Sequence, residues 1–361
     1  MYNKNIREHI KLEPRDWQIK AYNKWCENNR HGTIKAVTGS GKSLVGIMGL
    51  VNYFYYLNQT KKIYIIVKTK ALQNQWVKNV KNLTDIDEKH IGLIGNGMHD
   101  DEIEGEDRKR IIVAIINSLR RVIVDEGLLI LDECHNYCSE ENFKFINRSS
   151  FEQLMAISAT PECMNIHLLK DIAPFVYQYD LQDARDDDVV SEFKIVNIGV
   201  KFTNEEEIEY REKHDKVCAM MKEFGYDLNR ILRSTFHESP HIRMKAQNTM
   251  RVIASRKRII FSSKNKMLRL TQLISDRLDN CPNDKFIIFS EQINTSKDIV
   301  RAIKVKMQAN NKIKRPVLFN SKVVQKKQDE AIEKFKNNTA NILVVVKSFD
   351  EGMDVPDANI G

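Results

Sequence analysis

The chain has 361 residues, enough for two domains that each bury a core of their own. Hydrophobic residues make up 42% and charged residues 29%, the balance of a globular protein, and no apolar run approaches the roughly 18–20 residues of a membrane-spanning helix. A formal charge of +8 permits a polyanionic partner without establishing one, and six scattered cysteines do not make a secreted disulfide framework.

The polar stretch 1–11 lacks the apolar core of a signal peptide, so a reducing, intracellular (cytoplasmic) setting is expected. A helical segment, 17–28, precedes an apolar strand at 33–37. Then comes Ala36-Val37-Thr38-Gly39-Ser40-Gly41-Lys42-Ser43, followed by the apolar helical stretch 44–57. A glycine-bearing loop between a strand and a helix is the setting a phosphate-binding P-loop requires. Gly39 and Gly41 let backbone N–H groups turn onto an anionic phosphate, and the helix N-terminus adds partial positive charge. Thr38 to Ser43 form the candidate phosphate set: Lys42 reaches the β- and γ-phosphates, and the Ser43 hydroxyl takes one Mg²⁺ position. Ala36 stands where the general pattern has a glycine.

A strand at 63–67, a helix at 71–82, an exposed acidic loop at 99–110 and a strand at 111–116 follow. The next buried strand, 128–131, ends in Asp132-Glu133-Cys134-His135. Open α/β sheets bind ligands at the carboxyl ends of their strands, so these carboxylates should face the P-loop. Asp132 is then the Mg²⁺ partner and Glu133 the group that polarises the attacking water. Cys134, His135 and Cys138 lack a second ligand pair at usable spacing for zinc. With a further strand at 154–158, the alternation predicts a parallel sheet with helices on both faces. The segment 178–191, with three consecutive aspartates, reads as a polar crossing out of the first domain.

Beyond a strand at 194–200 lies a charged section, 204–279, with apolar residues such as Ile208, Val217, Met220 and Met221 at helical spacing. From Arg230 to Arg269 it carries eleven lysines and arginines against one acidic residue, Glu238, which points to salt-dependent phosphate contact. Strands at 286–289, 317–319 and 342–346 form a second sheet, with an amphipathic helix at 326–336. No internal repeat of fixed period is evident.

These motifs, in this order, resemble the superfamily 2 helicases and translocases in their DECH-box form. Arg15-Asp16-Trp17-Gln18 is similar to the family's Q element, with Gln18 the implied adenine contact and Arg15 beside it. Val67 to Leu72 with Gln75-Trp76 resembles motif Ia, and 112–119 the element after it. Ser158-Ala159-Thr160 resembles motif III, Lys285 to Glu291 motif IV, and Glu351-Gly352-Met353-Asp354-Val355-Pro356 motif V.

The resemblance implies an α/β fold of two RecA-like parallel-sheet domains, 1–190 and 191–361, with a helical insertion at 204–279 opening the second. Such insertions are similar to those of DNA-repair and restriction-type members. It implies ATP and Mg²⁺ held between the domains, with Lys42, Asp132 and Glu133 catalytic and Gly352 and Asp354 contributing to the nucleotide site. His135, Ser158 and Thr160 would couple hydrolysis to grip, and Lys70, Gln75, Ser290 and Lys347 would contact a nucleic-acid backbone. DNA is preferred as partner; an RNA helicase, or a binding module with weak or lost ATPase, is the alternative. The chain stops at Gly361 before any counterpart of the arginine-bearing motif VI, so its C-terminus is expected to be truncated. A viral source is compatible with all of this.

Overall fold

The runs Ile63–Val67, Ile111–Ile115 and Leu128–Asp132 are buried at every position, as strands covered on both faces must be. The computed structural model describes residues 1–95, 97–100, 108–118, 124, 126–162, 166–309, 316–320, 323, 325–346, 358 and 360–361. The chain divides into two compact units, Met1–Ile195 and Val196–Gly361.

The first unit contains β1 (His31–Ala36), β2 (Ile63–Val67), β3 (Ile91–Gly95), β4 (Met98–His99), β5 (Ile111–Ile115), β6 (Leu128–Asp132), β7 (Gln153–Ser158) and β8 (Phe175–Tyr179). Their spatial order is β4-β3-β5-β2-β6-β7-β1-β8, parallel throughout except for the short antiparallel β3–β4 pair. The period of two divides each strand between two cores. Ile63, Ile65 and Val67 pack with Trp25, Ile47, Leu50 and Trp76 from the helices Asp16–Glu27, Ser43–Asn52 and Lys70–Leu83. Tyr64 and Ile66 face Phe143, Phe145 and Leu169 from the helices Glu140–Arg148 and Ile166–Ile172. Each apolar side chain enclosed this way contributes about 1.5–3 kcal/mol.

The second unit has β9 (Phe286–Ser290), β10 (Pro316–Phe319) and β11 (Ile342–Val346), parallel in the order β10-β11-β9, and Ile360 bridges Phe286 on the free side of β9. Ile342 and Val344 pack against the helices Lys264–Asn280 and Ile293–Ala309, while Leu343 and Val345 pack against Phe335 of the helix Gln325–Lys336. The helices Asn204–Lys222, Leu228–Ser234 and Pro240–Phe261 form their own small cluster around Phe224, Ile231 and Ala246.

Four sequence expectations are corrected. Residues 194–200 are exposed and make no strand, because a strand needs a ladder partner and none of the described residues supplies one. The segment 178–191 is not a loose crossing: Gln178 and Tyr179 close β8, and Leu181–Asp186 is a helix that buries Ala184. The helix starting at Ser43 keeps α-helical geometry only to Asn52, and Tyr53–Leu57 widens into a π-helical turn. The helix Lys264–Asn280, read as part of the insertion, packs on the second sheet through Ile274 and Leu278. Much of the 99–110 loop lies outside the described residues, but His99 itself is in β4. Among the described residues, no helix is long and apolar enough to cross a membrane.

The short helix Lys4–Glu8 is tied to the sheet unit by a small polar cluster. His9 Nδ1 lies 2.7 Å from Asp85 Oδ2, its ring stacks on Tyr55 at 3.8 Å, and the Tyr55 hydroxyl donates to Asp85 Oδ1 at 2.9 Å. Burial pushes the Asp85 carboxyl up, but the hydrogen bonds from His9 and Tyr55 outweigh it and hold the group below its usual value. A depressed carboxylate contributes stability above its unfolded value of about 3.9 and loses it as pH falls through the folded value. Asp85→Asn should therefore lower the thermal midpoint at pH 7, and by less at a pH well below about 3.9. Parallel melting curves at both pH values would contradict this account.

Candidate functional site

The ends of three adjacent strands make the site. β7 lies between β6 and β1, with Lys35 opposite Ser158 and Asp132 opposite Ile157 in the ladders. The P-loop leaves β1, the acidic tetrad leaves β6, and Ser158 closes β7 between them. Sheet order alone brings these sequence-distant segments together.

In the loop, Gly39 has φ +84° and Gly41 φ +88°, the left-handed backbone that favours glycine. A Cβ on Gly41 would lie 2.9 Å from the Gln18 amide nitrogen, so a side chain there would have to push the Gln18 amide aside. Gln18 is buried; its Oε1 accepts from Arg15 N at 2.8 Å and its Nε2 donates to Gly41 O at 2.9 Å. Arg15 Nη1 donates to Ser40 O at 3.0 Å, and the buried Ser40 hydroxyl donates to Val37 O at 2.7 Å. The Q element thus fixes the loop backbone, while Thr38 and Gly39 face solvent and Lys42 and Ser43 are half-buried where the helix begins.

Lys42 Nζ pairs with Glu133 Oε1. Glu133 Oε2 accepts from Ser158 Oγ at 3.0 Å, and His135 Nδ1 lies 3.0 Å from the same Oγ. The backbone N–H of Thr160 also donates to Ser158 Oγ, at 3.2 Å. Glu133 has φ +51°, a left-handed conformation uncommon outside glycine, and it aims the carboxylate back across the strand ends. Asn136 Nδ2 donates to Glu133 O at 3.0 Å and is itself followed by Asn142, which donates to Asn136 O at 2.8 Å.

Asp132 is buried, with Oδ1 accepting from Glu133 N at 3.1 Å and Oδ2 accepting from Trp76 Nε1 at 2.8 Å. Burial raises its carboxyl above the usual range; the Trp76 hydrogen bond and the Lys42 charge act the other way, and Glu133 adds to the rise. The sequence places Trp76 in the motif Ia element but gives it no role at the Asp132 carboxylate, and it does not single out Asn136. The signal for Trp76 was its place on the buried row Leu72, Trp76, Val80 of the helix Lys70–Leu83. For Asn136 there was none beyond adjacency to the tetrad.

The remaining candidates fall elsewhere. Lys70 is exposed at the start of its helix; Gln75 is half-buried, and among the described residues its Oε1 has no hydrogen-bond partner. Ser290 ends β9 in the second unit and donates to Gln292 O at 3.2 Å. Lys347, Gly352 and Asp354 lie outside the described residues.

Comparison with known proteins follows the same division of the chain. The family described as the res subunit of type III restriction enzymes matches residues 11–163, and the helicase conserved C-terminal domain matches residues 255–360. Among curated proteins, the chain is 25% identical over 360 residues to the DNA 3'-5' translocase XPB2 of Sulfurisphaera tokodaii, covering 97% of this chain and 74% of that protein. It is 30% identical over 128 residues to a putative ATP-dependent RNA helicase of African swine fever virus, covering 34% of this chain and 24% of the viral protein. Among solved structures, the Pyrococcus furiosus Hef helicase domain aligns with a TM-score of 0.57 at 16% identity, over 96% of this chain and 89% of that one.

Proposed function

The chain belongs to the superfamily 2 helicases and translocases, ATP-dependent enzymes with two RecA-like domains, and from that premise we propose that it acts on DNA. The observation that carries the choice is the extent of the match: a DNA translocase aligns over 97% of the chain, an RNA helicase over 34%.

In this reading the Lys42 ammonium exchanges its partner, leaving Glu133 for a phosphate oxygen of ATP. The released Glu133 carboxylate then orients the attacking water and takes its proton, while Ser158 and His135 keep that carboxylate aimed. Because Ser158 touches both Glu133 and the Thr160 backbone, a change at the phosphate reaches motif III through two hydrogen bonds. Lys70, on the exposed end of its helix, can meet a DNA phosphate; Gln75 is half-buried and Ser290 is bonded to Gln292 O, and Lys347 keeps its implied role as a proposal. Gln18, Gly352 and Asp354 keep their implied nucleotide roles as proposals.

The donor set suits Mg²⁺. Mg²⁺ typically takes one or two protein oxygens plus phosphates and waters. Ser43 and Asp132 would supply those oxygens. Held there, the ion would offset negative charge that develops on the phosphate during transfer.

Phosphate release, measured without nucleic acid, with covalently closed duplex DNA, and with RNA, tests the reading. We expect turnover that rises with duplex DNA. Stimulation by RNA alone would move the assignment to the RNA-acting branch, and absence of turnover under all three conditions would overturn the enzymatic roles.

A further inference from the structure

The helices Leu228–Ser234 and Pro240–Phe261 meet in a turn, 235–239, whose groups are bonded almost throughout. Thr235 N donates to Ile231 O at 3.1 Å, Phe236 N to Arg233 O at 3.2 Å and His237 N to Ser234 O at 3.2 Å. Ser239 N donates to His237 Nδ1 at 3.1 Å, and Arg243 Nη1 donates to His237 O at 3.2 Å. Underneath, the buried Ile231 packs with Phe224 and Ala246, so the turn stands on a small core. This framework holds one aromatic ring outward: Phe236 is 88% exposed, more than any other large apolar side chain described.

A fully exposed phenylalanine costs hydration free energy, and a turn this well bonded does not relax to hide it. Arg230 and Arg233 are also exposed and, among the described residues, have no acidic partner, while Arg243 sits on the turn itself. Glu238 is the one acidic residue in the turn. An exposed aromatic ring on a turn preceded by two exposed arginines matches one ligand chemistry well, a base to stack on and phosphates to pair with.

We propose that Phe236 stacks on an accessible base, at a strand end or in a single strand, with Arg230 and Arg233 on the adjoining phosphates. The inference rests on the reading that this chain acts on nucleic acid, and adds where an unpaired base is met. Bases inside a closed duplex present no free face, so the contact selects ends and single strands over continuous helix. An apolar surface on another protein is the competing occupant.

The test uses the full 361-residue chain, as parent, Phe236→Ala, Phe236→Trp and the double variant Arg230→Ala/Arg233→Ala. The probes are a single-stranded oligonucleotide carrying 2-aminopurine, a blunt duplex and a covalently closed circular duplex. Phe236→Ala should weaken oligonucleotide and duplex-end binding by about tenfold and abolish the change in 2-aminopurine fluorescence. Phe236→Trp should retain both, and neither variant should alter affinity for the closed circle. The arginine pair should weaken all three probes and reduce the salt slope by about two. Unchanged oligonucleotide binding by Phe236→Ala overturns the proposal. So does an equal loss on the closed circle, or an effect confined to self-association in sedimentation. Turnover stimulated by the closed circle is read separately, so a failed motor assignment and a failed stacking contact give different patterns.

Discussion

Glu133→Gln is expected to lower ATP turnover by about 10²–10⁴-fold while leaving nucleotide binding intact or slightly tighter. Glutamine keeps the volume of the side chain and can still accept from Ser158, which bonds Glu133 Oε2 at 3.0 Å. It tolerates the φ of +51° no worse than glutamate does. What it cannot do is accept a proton from water at neutral pH or form the ion pair with Lys42. The first loss removes the base. The second leaves the lysine without its resident carboxylate, so an incoming phosphate has less to displace. Lys42→Ala should behave in the opposite sense, losing nucleotide affinity along with turnover. Single-turnover phosphate release and binding of a fluorescent ATP analogue separate the two. A glutamine variant that hydrolyses ATP within a few-fold of the parent would remove Glu133 from the chemistry, and one that loses binding would make its role structural.

The contrast between these two variants depends on a pairing visible only in part from the sequence. The P-loop and the acidic tetrad are local strings, each with flanks that fix a strand end and a turn, so their residues could be named one by one. Their meeting could be expected only from a general rule about the carboxyl ends of parallel strands. It is β7, inserted between β6 and β1, that puts Ser158 against Glu133, and strand order is not encoded in any local window. Among the strands read correctly, β2, β5, β6 and β7 are mostly apolar and buried at every position. The strands that were passed over are at or near the edges. β8, Phe175–Tyr179, buries only Tyr179, and β4 is two exposed residues, so neither carries a full apolar signal. At 194–200 the error ran the other way: Val196, Ile198 and Val200 look like a strand, but apolar alternation without a neighbouring ladder remains exposed chain. The Q element shows a subtler limit. Resemblance implied an adenine contact for Gln18; what the sequence did not show is that both ends of its amide hold the Arg15 and Gly41 backbone.

Trp76 is where fold and chemistry share one side chain, and its removal should be the largest stability loss in the first unit. The indole is 1% exposed and lies over Gly46 so closely that a Cβ there would approach Trp76 Cη2 to 2.7 Å. Trp76→Ala should cost about 3–5 kcal/mol, since so rigid a surround cannot collapse into the space. Against a total of about 5–15 kcal/mol for a typical domain, that places the unit near its unfolding threshold at growth temperature. Trp76→Phe separates the two roles. It keeps most of the volume but withdraws the Nε1–H that Asp132 Oδ2 accepts at 2.8 Å. Burial already raises the Asp132 carboxyl, and this hydrogen bond is the first of the effects opposing that rise. Without it the carboxylate is both less favoured in its charged form and less tightly held in its orientation. Loss of such a supporting donor typically weakens metal affinity by about 10–100-fold. The Phe variant should therefore stay folded, with urea melts lowered by about 1.5–3 kcal/mol, yet need far more Mg²⁺ for half-maximal turnover. If its Mg²⁺ titration overlays the parent's, the indole is only packing, and Asp132 is positioned by the strand alone.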